Sequence, residues 1–114
     1  MRKLLQERLV DFAVAAGAAA DTMPRTQSGR KLSDQLARSS SSPAGNYAEA
    51  RDAVSDKEYI YKMQLCLKEL RESLVWIQVA RRRQYTNADY ADLERECNEL
   101  IAITVTCIKR ARGD

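Results

Sequence analysis

Apolar positions recur along this chain in alternating steps of three and four. Leu5, Leu9, Phe12, Ala16 and Ala19 form the first such seam, and Leu32, Leu36, Ser39, Pro43, Asn46 and Ala50 the second. Ile60, Met63, Leu67, Leu70, Leu74 and Ile77 form the third. The fourth runs Tyr90, Leu93, Cys97, Leu100, Thr104, Cys107, Ala111. That period gathers one face of an α-helix. The punctuation divides the chain accordingly. The first helix is predicted over Arg2–Thr22 and stops at Met23-Pro24, because a residue before proline is pushed out of the α region. The second starts after Thr26 or Ser28, either a good cap, and runs to about Ala53. The third opens on Ser55 with Glu58 three residues on, a capping box, and fades into Arg81-Arg82-Arg83. The fourth is capped by Thr86. With only 4 Gly and 2 Pro there is little to break these helices. Short connections make neighbours antiparallel, so the expected fold is all-α: one domain over residues 1–114, an up-down-up-down four-helix bundle.

The second helix departs from an ordinary bundle helix. Ser39 and Asn46 occupy seam positions where Leu or Ile belongs, and Pro43 lies in the interior, where a kink is expected. A polar side chain in a seam costs stability but can fix register and oligomeric state. Arg38, Ser39, Ser42, Asn46 and Glu49 therefore read as one polar motif, either a hydrogen-bonded specificity device or a contact for a ligand or RNA.

The third and fourth helices carry more apolar width than one seam needs. Trp76 lies off the main stripe, and Ile101, Val105 and Ile108 form a second stripe beside it. Such surplus on a small bundle points to a subunit interface.

Charge adds a weak bias. The net charge of +3, from 19 basic and 16 acidic residues, permits nucleic-acid contact without arguing for it. Antiparallel packing gathers Arg25, Arg30, Lys31, Arg81, Arg82 and Arg83 at one end, and Arg2, Lys3, Arg51, Lys57, Lys109, Arg110 and Arg112 at the other. Either set, repeated around a ring, would form a basic rim able to hold phosphates.

The candidate chemistry is mostly excluded. The chain contains no histidine, so the usual catalytic triads, zinc sites and Glu-x-x-His di-iron sites lack a ligand or base. Glu7, Glu49, Glu72 and Glu96 have no such partner, and no phosphate-binding glycine loop is present. No catalytic residue, metal, cofactor or small-molecule substrate is indicated. Cys66, Cys97 and Cys107 sit in apolar stripes and read as reduced thiols of a cytoplasmic protein. Gln6, Glu7, Arg8 and Asp11 interrupt the apolar core a signal peptide needs, and no run is long enough for a membrane span.

One pattern is more specific than the heptads. Gln35-Leu36, Arg38-Ser39, Ser42, Asn46 and Ala48-Glu49-Ala50 are followed by Lys57-Glu58-Tyr59, Lys68-Glu69-Leu70 and Glu72. This arrangement resembles the bacterial four helix bundle protein family, related to proteins encoded in ribosomal-RNA intervening sequences. The resemblance covers about Phe12 to Ile108. It implies an antiparallel bundle that assembles into a homopentameric ring. A related branch, the accessory proteins of diversity-generating retroelements, implies RNA or an RNA-binding protein as partner. The expected function is thus a non-enzymatic oligomeric scaffold that binds RNA or an RNA-associated protein. The other reading is a structural or regulatory protein-interaction module.

Overall fold

The computed structural model describes residues 3–85 and 89–114. Four helices account for nearly all of them: α1 Leu5–Asp21, α2 Gln27–Arg51, α3 Asp56–Arg83 and α4 Tyr90–Arg112. Each packs antiparallel on the next in sequence. Backbones approach closely in the pairs α1–α2, α2–α3, α3–α4 and, least, α1–α4, and not across either diagonal. The bundle measures 45 × 30 × 21 Å.

The helix ends follow local chemistry. Thr26 accepts from the Gly29 amide and Ser55 from the Glu58 amide, while Glu58 reaches back to the Val54 amide, one residue before the N-cap amide a capping box engages. α4 is capped by Asp89, which accepts from the Asp92 amide. The expected cap, Thr86, lies outside the described residues. α3 ends at Gln84 with a left-handed φ of 54°. α2 continues as helix through Pro43, whose ring is fully buried.

α1 is much the shortest helix, 17 residues against 25, 28 and 23, and this shapes the core. One large cluster gathers Leu9, Phe12, Ala16, Leu36, Leu70, Ile77, Leu93 and Leu100 from all four helices. Beyond it a smaller cluster, Ala50, Met63 and Ile108 with Tyr47, Tyr59, Ile60 and Leu67, is built by α2, α3 and α4 alone. Among the described residues the bundle is four-helical at one end and three-helical at the other. At the three-helix end a groove of about 410 Å³ separates α1 from α4, between Leu5, Ala102, Ile103 and Cys107.

This geometry removes Ile108 from the expected interface. Ile108 is only 4% exposed and belongs to the protomer's own small core, so it is not available to a second chain. Ile101 and Trp76 are half-buried and packed against the large cluster. Val105 is also half-buried. The reason is helical drift: a helix turns about 20° per heptad away from a strict 3.5 repeat, so the seam of α4 moves from Cys107 to Ile108 near its end. Among the described residues, the large apolar side chains left exposed are Leu4, Val10 and Val14 in and beside α1, Tyr61 and Val75 on α3, and Val54 in the turn.

Candidate nucleic-acid interface and the polar motif

The polar motif of α2 resolves into three separate arrangements. Arg38 points toward α3, where its guanidinium bonds Glu69 at 3.1 Å and Glu72 at 2.9 Å. Directly beneath, Ser39 and Ser73 are fully buried with their hydroxyls 2.9 Å apart. Ser73 also lies 2.9 Å from the Glu69 carbonyl, so the pair satisfies itself through its own backbone. Small side chains here let α2 and α3 approach closely, and the hydroxyl pair gives that approach one register. Two segments singled out in the sequence, Arg38-Ser39 and Lys68-Glu69-Leu70 with Glu72, thus meet in space.

Asn46 does something different. It is half-buried, and its amide donates to the Ser42 hydroxyl at 3.0 Å and the Ser42 carbonyl at 3.2 Å, one turn back in the same helix. Its polarity is absorbed locally and it crosses to no other helix. Glu49 is exposed and pairs with Lys62 at 3.7 Å. The motif is chiefly a seam lock between α2 and α3, with Asn46 and Ser42 as a local addition.

The basic residues divide by whether a carboxylate meets them. Arg8 is held between α1 and α4 by Glu96, with Nε 3.1 Å from Oε2, and these contacts hold its charged form still more firmly. Arg81 pairs with Glu94, and Arg95 with Asp92. Arg83 lies 4.8 Å over the Tyr85 ring, whose phenol is drawn below its usual pKa first by its hydrogen bond to Ser28. Arg82, Lys109, Arg110 and Arg112 are exposed and meet no carboxylate among the described residues. The three of α4 crowd its last turn, where cations oppose the partial negative charge of the helix end.

The four carboxylates considered for chemistry do not converge: Glu7 is exposed, and Glu49, Glu72 and Glu96 each hold a different cation. Among the described residues no three His, Cys, Asp or Glu side chains come together as a metal would require. Cys66 and Cys97 are fully buried, and burial pushes both thiols up to about 12, so they stay protonated. Tyr59 is likewise pushed up to about 12, first by burial. Among the described residues no helix is long and apolar enough to cross a membrane.

With the bundle and its paired motif in place, the comparisons decide the family. The sequence model of the 23S rRNA-intervening sequence protein family matches residues 5–106, the whole of the bundle but the last turns of α4. The chain belongs to this family. A solved structure from Bacteroides thetaiotaomicron VPI-5482, a protein with unknown function from the S23 ribosomal protein family, superposes with a TM-score of 0.83. It is 25% identical, and the alignment covers 93% of this chain and 99% of that one. No functionally curated protein matches the chain.

What sequence reading missed is the face on which α3's unpaired cations lie. The signal was present in the spacing of Lys57, Lys68, Arg71 and Arg82. It is hidden because the four cations are spaced among neutral side chains, and Lys57 and Arg82 group by sequence with opposite ends of the bundle.

Proposed function

We propose that this protein is a non-enzymatic cytoplasmic scaffold that assembles as a symmetric homo-oligomer, a pentamer by family resemblance, and binds RNA through its phosphates. The observation that carries the reading is the end of α4. Lys109, Arg110 and Arg112 stand exposed together in its last turn without a carboxylate partner among the described residues. Unpaired surface cations raise the local potential, and a ring would repeat them. The family's name, which ties it to sequences within 23S rRNA genes, supports RNA as the partner. The absence of histidine supports a non-enzymatic role.

The test is binding of a labelled single-stranded RNA by fluorescence anisotropy across a salt series. Electrostatic binding weakens with salt, with a log-log slope of about −0.7 per phosphate contacted. Replacing Lys109, Arg110 and Arg112 with Gln should weaken binding about uniformly across sequences. If the unaltered protein binds no RNA at low salt, the reading fails, and a protein-interaction module takes its place.

A further inference from the structure

The outward face of α3 carries a line of cations set among uncharged side chains. Lys57, Tyr61, Gln64, Lys68, Arg71, Val75, Gln78 and Arg82 follow one another in steps of four and three, which places them on one side of the helix. All but the half-buried Gln78 are exposed. No carboxylate interrupts this line. The bordering acids are already engaged: Glu69 and Glu72 hold Arg38, and Glu58 caps the helix start. Asp56 lies in the first turn, beside the line rather than on it. None of the four cations meets a carboxylate among the described residues.

The track has the length and furniture of a strand-binding surface. At 1.5 Å per residue it rises about 37 Å from Lys57 to Arg82. It therefore runs from the three-helix end, where Lys109 and Arg110 stand, to the end that carries Arg81, Arg82 and Arg83. Near its middle, Gln64, Leu67, Lys68, Arg71, Glu72 and Val75 line a shallow hollow, where Glu72 is the one carboxylate and is engaged by Arg38. Tyr61 is 56% exposed, with the Lys62 ammonium 5.9 Å from its ring, so an aromatic face stands among cations. Base stacking on an aromatic beside phosphate contacts is how sequence-tolerant single-strand surfaces work.

We infer that a single nucleic-acid strand runs lengthwise along this face of α3, its phosphates on Lys57, Lys68, Arg71 and Arg82 and a base against Tyr61. The inference rests on the proposed RNA binding and names the surface that carries it.

The experiment uses the full chain and a fluorescein-labelled 20-nucleotide single-stranded RNA of mixed sequence, with the DNA of the same sequence as a second probe. Two triple variants remove equal charge. One is Lys57→Gln, Lys68→Gln and Arg71→Gln, on the track; the other is Arg25→Gln, Arg30→Gln and Lys31→Gln, at the turn between α1 and α2. All six positions are exposed and Gln is a good helix former, so matching circular-dichroism melts are expected. The track variant should lose at least tenfold in affinity at about 50 mM salt, with its salt slope reduced by about 2 for three lost phosphates. The control variant should lose less than about threefold. Tyr61→Ala should weaken binding without changing the slope, because stacking releases no counterions. RNA and DNA should bind alike, since no group on the track reads the 2′-hydroxyl. If the unaltered protein binds RNA but both triple variants lose equally, or a tenfold preference for RNA appears, the α3 track is overturned while RNA binding stands. If the unaltered protein does not bind, the broader reading falls first.

Discussion

Two polar residues in one seam show how the same chemistry can do different work. Ser39 lies fully buried against Ser73 across a helix–helix contact, whereas Asn46 turns back to Ser42 within its own helix. A buried hydroxyl site sized for Ser has no room for a larger side chain. Ser39→Leu is therefore expected to cost about 1–3 kcal/mol or more through overpacking. Asn46→Ala loses only a local, half-exposed bond, worth under about 1 kcal/mol, and leaves the oligomer unchanged. Urea unfolding and light scattering on both variants check this pair. A clear change of assembly in Asn46→Ala would restore Asn46 as the device that sets oligomeric state. Periodicity alone could not separate the two residues. Spacing tells which face a residue is on, but not whether its amide is satisfied one turn away or across the bundle.

At the scale of the elements, most of the fold was legible. The four seams named Leu9, Phe12, Leu36, Met63, Leu70, Ile77 and Leu100, and all are fully buried or nearly so. What was not legible follows from drift and from close approach. Ile108 moved by drift from a supposed outer stripe into the core, while α3 keeps its alternating step and buries Ser73 beside the expected Leu74. Gly29 carried no sequence signal either, yet it shapes the turn between α1 and α2. A Cβ there would sit 2.0 Å from the Pro24 carbonyl oxygen, while nothing lies within 4 Å of one at Gly17. Glycine in a helix interior is normally improved by alanine, by about 0.5–1 kcal/mol. Gly17→Ala should show that gain. Gly29→Ala should reverse the sign, costing about 1–3 kcal/mol as the Pro24 turn is displaced. Thermal melts of the two variants decide it, and a stabilised Gly29→Ala would mean the turn yields freely.

The whole molecule is polarised across a diagonal. α1 and α3 do not approach each other through the bundle, and their outer faces differ in charge. α3 presents unpaired cations with Tyr61 and Val75 among them, while Leu4, Val10 and Val14 expose apolar side chains at and along α1, Leu4 and Val14 each about two-thirds exposed. α1 is also the short helix, joined to α4 through the shared core and Arg8 and leaving the groove beside Ala102 and Ile103 open. If copies meet, the α1 side offers apolar area and the α3 side offers repulsion between like charges. Closed symmetry would then bury α1 and leave the α3 tracks accessible on every protomer. The test is Val10→Glu with Val14→Glu, read by light scattering after size exclusion. The unaltered chain should run at a multiple of 12.9 kDa, about five times for the proposed ring, and the double variant at the single-chain mass with its helix content retained. Trp76→Ala, by contrast, should lower stability without dissociating the assembly, because Trp76 packs against the protomer's own core. A double variant that keeps the assembled mass would move the contact away from α1. Dissociation by Trp76→Ala at unchanged stability would return it to the α3 side, where it would compete with the cationic track for the same surface.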